Sequence, residues 1–352
     1  MLLSVADYEA AATERLPEPS LAFIMGGAGE QRTLDANIAA YDAIRLLPRV
    51  LVDVTVRGSE TTVLGQRVSF PILIAPTAMH RIAHPDGELA SARAAGSTGT
   101  IMILSLGSSL PVEDVMAAAN GQVWFQAYVG RDRGLTTEVI GRAEASGCSA
   151  LVVTVDAPVV GGRMAERRHG FEVLPEWFAS GHTPMYGLTA PGASGASATE
   201  LWDASLSWGD LIWLRSRTRM PIVLKGLLRA DDAARAVAEG VEGIVVSNHG
   251  GRQLDSAVPT MHALPAVVDA VGGQSAVLVD GGIRRGGDVF KALALGAEAV
   301  LVGRPVMWGL AVNGQMGVEH VLRLLADELD LTMALCGATG VAGITADLVA
   351  PP

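Results

Sequence analysis

A histidine and an arginine three residues apart give the clearest chemical signal in the sequence. Residues 247–255 (SNHGGRQLD) follow a buried apolar segment and contain His249 and Arg252, with two glycines between them. Histidine is the side chain best suited to accept a proton near neutral pH, and arginine can hold a carboxylate through two parallel hydrogen bonds. The pair predicts a site that deprotonates a substrate carrying a carboxylate. Asp156, in TVDAP, could orient the imidazole and stabilise its protonated form, or could instead cap the next helix.

Glycines and arginines in two later segments have the chemistry of a phosphate site. Glycines allow backbone N–H groups to come close to an anion, and arginines offer forked donors that match phosphate oxygens. The alternative is an ordinary turn with surface arginines. The residues are Asp280, Gly281, Gly282 and Arg284 in DGGIR, and Gly303 and Arg304 in VGRPV.

Further polar residues could serve the same site. Lys225 ends an apolar run, where a buried ammonium needs an anionic partner. That partner could be a cofactor that becomes negatively charged, or Asp156 or Asp280. Gln126 and Tyr128 alternate in FQAYV and could share one face of a strand. Arg163, in GGRMAERR, could be a second donor to a carboxylate.

Eight short apolar runs separated by amphipathic helical patterns indicate the elements that position these residues. Each run is continuously apolar, as expected of strands buried on both faces. Eight β/α repeats predict an α/β fold, a (β/α)8 TIM barrel, with a doubly wound open sheet as the alternative. The runs are residues 71–75, 100–104, 123–126, 151–155, 222–225, 243–246, 276–279 and 299–302.

We interpret residues 1–352 as a single domain, and the segments outside the strands fit this interpretation. We expect residues 1–70 to form helices that close the lower end of the barrel, beginning near Ser4, and the barrel to occupy residues 71–345. The outsized gap between strands four and five predicts a lid loop at about residues 178–205. Polar residues directly follow the strands, and in a barrel they would converge on the C-terminal face, where such enzymes place their chemistry.

Composition excludes several classes of function. With 26 basic and 37 acidic residues the formal net charge is −11, which argues against nucleic acid as a partner. Neither the two cysteines nor the seven histidines have metal-ligand spacing, so we predict no metal. Asp7 and Glu9 interrupt any apolar signal core, and no apolar run approaches the roughly 18 residues of a membrane span. We therefore expect a cytoplasmic protein with small-molecule partners and no membrane association.

Six motifs together resemble the FMN-dependent 2-hydroxy acid oxidase and dehydrogenase family, whose members oxidise glycolate, lactate and mandelate. They are SNHGGRQLD, LVDGGIRRGGDVFKALALGA, VGRPV, APTAMHRIAHPDGE, FQAYV and TVDAP. The resemblance implies a barrel that binds FMN and oxidises an (S)-2-hydroxy acid to a 2-oxo acid. Reoxidation would be by O2, giving H2O2, or by another electron acceptor. The family also implies a homo-oligomer, a tetramer or an octamer.

The resemblance also implies a role for each matching residue. His249 would be the base and Asp156 its partner, Arg252 and Arg163 would bind the substrate carboxylate, and Tyr128 would contact the substrate oxygen. Lys225 would lie near the N1–C2 edge of the flavin. The other cofactor-binding residues would be Pro76, Thr77, Ala78, Ser105, Gln126, Thr154 and Ser247 around the ring, and Asp280, Gly281, Gly282, Arg284, Gly303 and Arg304 around the ribityl phosphate.

Departures from the family pattern bear on the substrate and the acceptor. Phe23 stands where the glycolate and lactate enzymes have a tyrosine, and Gly107 where glycolate oxidase has a tryptophan, so we expect a larger, more apolar pocket suited to a mandelate-like acid. Ala78 resembles the oxidases rather than the mandelate dehydrogenases, which favours O2. The alternatives are a dehydrogenase of the same family, a non-redox phosphate-binding barrel such as an isomerase or a lyase with Lys225 as Schiff base, and a non-catalytic binding barrel.

Overall fold

The computed structural model describes residues 1–174 and 201–350, and its centre is a closed barrel of eight parallel strands. The strands pair in chain order, and the last pairs with the first, so the open-sheet alternative is wrong and the predicted barrel is confirmed. After a hairpin of β1 (Thr61–Val63) and β2 (Gln66–Val68), the barrel strands are β3 (Ile72–Ile74), β4 (Met102–Ser105), β5 (Val123–Ala127), β6 (Leu151–Thr154), β7 (Ile222–Leu227), β8 (Gly243–Val246), β9 (Ala276–Asp280) and β10 (Ala299–Val302).

Helices connect the strands and surround the barrel. Short 3-10 turns occur at His80–Ile82, His249–Gly251, Val341–Gly343 and Ala346–Leu348. The helices are α1 (Val5–Arg15), α2 (Glu18–Met25), α3 (Arg32–Ala43), α4 (Gly87–Thr98), α5 (Val112–Ala118), α6 (Arg133–Ala145), α7 (Met164–Arg168), α8 (Asp210–Arg215), α9 (Ala230–Ala238), α10 (Thr260–Val271), α11 (Gly286–Ala294) and α12 (Arg304–Cys336). Helix α12 is broken by non-helical backbone at Asn313 and Gly314. Helix α1 begins directly after Ser4, as expected, and Ser4 is its N-cap, since the Ser4 hydroxyl accepts from the Asp7 backbone N–H.

The strands are buried on both faces, which explains their continuous hydrophobicity. Along β3, Leu73 belongs to the cluster inside the barrel, whereas Ile72 and Ile74 belong to the cluster between barrel and helices. Inward-facing side chains of the strands fill the barrel interior, among them Ile103, Trp124, Val152, Val223, Val245, Leu278 and Leu301. Because both layers exclude water, polar side chains are left at the strand ends.

The N-terminal segment differs from the prediction in what closes the barrel. Residues 1–70 contain three helices, but the lower end is covered by the β1–β2 hairpin, whose turn at Leu64 and Gly65 has φ angles of +47° and +74°. Positive φ at both turn residues is the geometry of a two-residue type I′ hairpin. Val63 and Val68 pack into the barrel interior, and the indole Nε1 of Trp124 donates to the Gln66 side chain at 3.0 Å.

Two strand boundaries also differ. The second barrel strand begins at Met102 rather than residue 100, and β7 continues past Lys225 to Leu227 through an irregular register at Gly226. Gly226 has a φ of +117°, and a Cβ there would lie 2.6 Å from the Asp156 Cβ, so this bulge requires glycine. Most of the predicted lid at about residues 178–205 lies outside the described residues.

Truncating Val63 should destabilise the protein more than truncating its neighbour on the same strand. Val63 is fully buried against the barrel interior, whereas Thr62 is exposed. We expect Val63→Ala to lower the free energy of unfolding by about 2 kcal/mol, from the lost methyl groups and the cavity they leave. Thr62→Ala should cost less than about 0.5 kcal/mol. Denaturant titration of the two variants measures this difference, and equal losses would show that the hairpin does not seal the barrel.

Candidate functional site

A cavity of about 400 Å³ opens at the C-terminal ends of the barrel strands. Loops after most of the strands contribute to it, together with the end of α2 and residues near α7. Of the residues predicted for the site, those lining the cavity are Phe23, Pro76, Thr77, Ala78, Ser105, Gly107, Tyr128, Arg163, Lys225, His249, Arg252, Asp280, Gly281, Gly282, Arg284, Gly303 and Arg304. The convergence expected from the barrel is therefore present.

Four predicted residues lie directly behind the cavity wall and hold its lining side chains. Gln126 accepts from the Ser105 hydroxyl at 3.1 Å and donates to the Thr154 hydroxyl at 3.0 Å. Ser247 accepts from the Lys225 ammonium at 2.9 Å. Asp156 Oδ1 lies 2.9 Å from His249 Nδ1. These residues fix the orientation of groups that reach the cavity.

His249 is aimed into the cavity by an unusual stretch of backbone. Its φ is +60°, and the glycines that follow, Gly250 and Gly251, have φ angles of +62° and +76°. A Cβ on Gly251 would lie 2.6 Å from the Leu34 backbone nitrogen, so the turn is packed against the start of α3. Left-handed backbone at a non-glycine residue is strained and persists only where the surroundings enforce it. The His249 backbone N–H also donates to the Ser247 hydroxyl at 3.0 Å.

The His249–Asp156 pair has the electrostatics of a base and its orienting carboxylate. Burial lowers the pKa of His249, an effect that the charge of Asp156 opposes. Burial alone would raise the pKa of Asp156, but the charge and hydrogen bond of His249 outweigh it and hold that pKa below its usual value. An ionised Asp156 accepts from Nδ1–H, which leaves the lone pair on Nε2. That nitrogen lies 3.5 Å from the hydroxyl of Tyr128, whose pKa is raised by burial.

Lys225 is paired with Asp280 rather than left uncompensated. Its Nζ lies 3.0 Å from Asp280 Oδ2, and both side chains are more than nine-tenths buried. Burial alone would lower the pKa of Lys225, but the carboxylates of Asp280 and Asp156 outweigh it and raise that pKa. Lys225 therefore places a fixed positive charge at the cavity wall. Among the described residues the other oxygen, Asp280 Oδ1, is buried with no donor.

Two arginines concentrate uncompensated positive charge at the end of the cavity near β9 and β10. Arg304 donates to the backbone carbonyls of Ile24, Gly250 and Gly26 at 3.0 to 3.1 Å. Burial, followed by the neighbouring charge of Arg284, lowers the pKa of Arg304 to about 9. Burial also lowers the pKa of Arg284, whose guanidinium lies 4.8 Å from the Trp308 ring centroid. Neither arginine forms an ion pair within the described part of the chain.

The same end of the cavity is shaped for an anion with hydroxyl groups beside it. Gly281 and Gly282 both have φ angles of +89°, and a Cβ on Gly282 would lie 2.5 Å from the Asn37 carbonyl oxygen. Asn37 and Asn248 hold this turn through reciprocal side-chain hydrogen bonds of 2.8 and 2.9 Å. A phosphate would neutralise the buried arginines, and a hydroxyl would satisfy Asp280 Oδ1. The donor set fits the ribityl phosphate of FMN.

Arg163 and Arg252 converge on one carboxylate that the sequence interpretation missed. Glu166 Oε1 lies 3.4 Å from Arg163 Nη1 and 3.1 Å from Arg252 Nη2. Arg252 also donates to the carbonyl oxygens of Phe23 at 2.6 Å and Gly26 at 2.8 Å. Burial, followed by the charge of Arg163, lowers the pKa of Arg252 to about 9. Glu166 follows Arg163 by one helical turn in GGRMAERR, so i,i+3 spacing could have indicated it.

Four aromatic side chains also line the cavity. Phe23 stacks on Phe171 at a centroid distance of 4.6 Å, and the Arg252 guanidinium lies 4.9 Å from the Phe23 ring. Tyr128 stacks on Trp202 at 4.5 Å. Sequence reasoning missed Phe171 and Trp202 because neither belongs to a motif. Ala78 fills the space on one side of Gly107, since a Cβ on Gly107 would lie 2.9 Å from the Ala78 Cβ.

Gln253 was also missed, although it lies inside the SNHGGRQLD motif. Its amide donates to the carbonyl oxygens of Asp156 at 3.0 Å and Val159 at 2.9 Å, and it accepts from the Gly161 backbone at 3.0 Å. It therefore ties the loop after β6 to the loop after β8. Among the described residues there is no cluster of histidine, cysteine and acidic side chains suited to a metal ion, and no helix long and apolar enough to span a membrane.

Comparisons with known proteins agree with this geometry. The family model of FMN-dependent dehydrogenases matches residues 12–351. An L-lactate oxidase of Nostoc sp. is 48% identical over 346 residues, which cover 96% of this chain and 95% of the relative. A peroxisomal (S)-2-hydroxy-acid oxidase of Oryza sativa subsp. japonica is 48% identical over 349 residues, 97% of this chain and 94% of the relative.

Solved structures of mandelate oxidase are also similar to this chain. A mandelate oxidase superposes with a TM-score of 0.91 at 43% identity, over 99% of this chain and 98% of that one. Its complex with (S)-4-hydroxymandelic acid has a TM-score of 0.92 at 42% identity, with the same coverage. The chain therefore belongs to the FMN-dependent dehydrogenase family, as an FMN-containing oxidoreductase that acts on the CH–OH group of 2-hydroxy acids.

Proposed function

We propose that this enzyme oxidises an (S)-2-hydroxy acid with an apolar, aromatic side chain, of the mandelate type, to the 2-oxo acid, and that O2 is reduced to H2O2. The observation that carries the proposal is the placement of His249 Nε2 in one cavity with Arg163 and Arg252. This arrangement offers a proton acceptor beside two carboxylate ligands. These groups match the hydroxyl and the carboxylate of a 2-hydroxy acid.

The substrate carboxylate is held by the arginines. Arg252 is anchored by the carbonyl oxygens of Phe23 and Gly26, so its guanidinium is already oriented before the substrate arrives. Arg163 Nε is buried with no acceptor among the described residues, and a carboxylate oxygen would satisfy it. Donors fixed in advance lose little conformational entropy on binding. The two arginines therefore orient the substrate Cα toward His249.

His249 takes the substrate proton. With Nδ1–H donated to Asp156, the free lone pair on Nε2 faces the cavity. The Tyr128 hydroxyl, 3.5 Å from Nε2, is positioned to hydrogen-bond the substrate oxygen. Once protonated, the imidazole is stabilised by the ionised Asp156, as in other buried histidine–carboxylate pairs. Whether the proton comes from Cα or from the hydroxyl, the same nitrogen receives it.

The cofactor is held by the rest of the predicted set. Arg284, Arg304 and the backbone of Gly281 and Gly282 would bind the phosphate, with Gly303 beside them and Asp280 Oδ1 accepting from a ribityl hydroxyl. The wall formed by Pro76, Thr77, Ala78, Ser105 and Lys225 would contact the ring, supported from behind by Gln126, Thr154 and Ser247. When bound, FMN supplies the two-electron acceptor for the oxidation.

The aromatic wall supports a large, apolar substrate side chain. Phe23, Phe171, Tyr128 and Trp202 all line the cavity. Phe23 has no hydroxyl to share with a substrate carboxylate, so a very small acid such as glycolate gains no extra contact. Aromatic rings prefer offset or edge contacts with other rings, and such pairs are worth about 0.5–1.5 kcal/mol beyond burial. A phenyl substituent therefore gains more here than a methyl group.

Ala78 and the Lys225–Asp280 ion pair bear on the alternative acceptor and on the alternative lyase reaction. The relatives named above are oxidases, and Ala78 matches the oxidase pattern, which supports O2 as the acceptor. A Schiff-base lyase would need Lys225 as a free amine. The ion pair with Asp280 instead keeps it charged, because it raises the pKa of Lys225.

Anaerobic titration of the purified enzyme tests the proposal. We expect (S)-mandelate to bleach the flavin absorbance rapidly, glycolate to do so far more slowly, and admission of air to restore the colour with one H2O2 per substrate. Equal or faster bleaching by glycolate would contradict the proposed substrate. Bleaching that air does not reverse would contradict O2 and favour a dehydrogenase.

Replacing His249 should abolish substrate oxidation without releasing FMN. We expect His249→Asn to slow anaerobic flavin bleaching by roughly 10²- to 10⁴-fold, the usual contribution of a general base. The FMN content should stay unchanged, because no phosphate ligand is altered. His262→Asn, at an exposed position on α10, is the matched control. Bleaching by His249→Asn at the wild-type rate would remove His249 from the reaction.

The pH profile of kcat/KM should follow the pKa of His249. Because burial lowers that pKa, the neutral base persists at pH values below 6.5, and activity should fall only on further acidification. Asp156 raises the pKa of His249, so Asp156→Asn should move the acidic limb to still lower pH and also reduce the rate. Asp231→Asn, at an exposed site on α9, should leave the limb in place. An acidic limb that moves to higher pH in Asp156→Asn would contradict the assignment.

A further inference from the structure

Glu166 is a charged residue of the cavity that is needed neither to bind the cofactor nor to accept the substrate proton. Its side chain is only 14% exposed and lines the cavity. One oxygen, Oε1, contacts both Arg163 at 3.4 Å and Arg252 at 3.1 Å. Both arginines are themselves mostly buried, with side-chain exposures of 20% and 15%. The two carboxylate ligands therefore already share one internal carboxylate.

The other charged groups of the cavity have partners other than Glu166. His249 and Lys225 face Asp156 and Asp280, and the positive charge of Arg284 and Arg304 is matched by the cofactor phosphate. Around the substrate carboxylate there remain two guanidiniums and one carboxylate, a net charge of one positive unit. Arg167 also lines the cavity, but its side chain is exposed to solvent. A monoanion neutralises this group, whereas a dianion leaves one negative charge in excess.

We propose that Glu166 sets the charge of the substrate, restricting the site to 2-hydroxy acids with a single carboxylate. The inference rests on the proposed function, since it concerns the acid that Arg163 and Arg252 bind. A second substrate carboxylate would meet the carboxylate of Glu166 inside the cavity, where the Glu166 side chain is only 14% exposed. Selectivity then comes from a repulsive element as well as from attraction. Without Glu166 the same two arginines would carry enough charge for a dicarboxylate.

A purely positioning role for Glu166 makes a different prediction. If Glu166 only held the arginines in place, its loss would weaken every carboxylate ligand by the same factor. If it excludes charge, its loss favours the dianion more than the monoanion, because the dianion carries the additional charge that Glu166 repels. The ratio of the two affinities therefore separates the two roles, and changes in protein stability do not affect it.

The test uses two ligands of equal length that differ in one charged group. 2-Oxopentanoate carries one carboxylate and 2-oxoglutarate carries two, and neither can be oxidised at C2. We expect calorimetric titration of the FMN-loaded wild type to show 2-oxopentanoate binding about tenfold or more tightly than 2-oxoglutarate, the scale expected for like charges a few ångströms apart. In Glu166→Gln this ratio should shrink by about tenfold or more. Glu172→Gln, an exposed change of the same charge in the same segment, should leave the ratio unaltered.

Each outcome decides the proposal. An unchanged ratio in Glu166→Gln, including an equal weakening of both ligands, would overturn it, and so would a wild type that binds 2-oxoglutarate as tightly as 2-oxopentanoate. Turnover is measured separately with (S)-2-hydroxypentanoate, (S)-2-hydroxyglutarate and (S)-mandelate. A wild type that oxidises none of these acids would refute the proposed function, while the binding ratio would still decide the role of Glu166.

Discussion

The site is organised by positive charge buried at one end of an otherwise apolar barrel. Arg252, Arg284 and Arg304 are largely withdrawn from water, and burial lowers the pKa of each of them. Buried charge is costly unless it is paired and hydrogen-bonded. Arg304 donates to backbone carbonyls, and Arg252 donates to backbone carbonyls and to Glu166. These contacts satisfy the hydrogen-bond donors but leave much of the positive charge without a negative partner. Anionic ligands complete the balance, and both the phosphate and the substrate are anions.

The barrel makes this concentration of charge possible. Its interior is sealed at the N-terminal end by the β1–β2 hairpin and filled by inward side chains such as Trp124. At the C-terminal end the backbone has positive φ angles at His249, Gly226 and Gly282, and a Cβ on either of these glycines would clash with its neighbours. The strain is therefore confined to loops that a rigid scaffold supports. Catalytic and binding groups can then be held without disturbing the core.

The barrel and most of the site could be predicted from the sequence because both depend on local patterns. Continuous apolar runs identified the strands, and the residues just after each run proved to line the cavity or to support its lining. The hairpin was missed because its strands are three residues long and half polar, and only contact with the barrel interior buries them. Phe171 and Trp202 were missed because their partners, Phe23 and Tyr128, are remote in the sequence. Glu166 has one local partner, Arg163, whose i,i+3 spacing could have indicated it, and one remote partner, Arg252. The roles of the site residues stay predictions.

Comparing FMN with riboflavin tests most directly whether buried positive charge governs this site. The two ligands share the ring and ribityl chain and differ only in the phosphate that Arg284 and Arg304 would bind. Charge-assisted hydrogen bonds contribute about 1.5–3 kcal/mol each, so riboflavin should bind the apoprotein roughly 10²- to 10⁴-fold more weakly, as measured by quenching of flavin fluorescence. Added inorganic phosphate should recover part of the riboflavin affinity. Riboflavin affinity within about threefold of that of FMN, under 1 kcal/mol, would contradict the account.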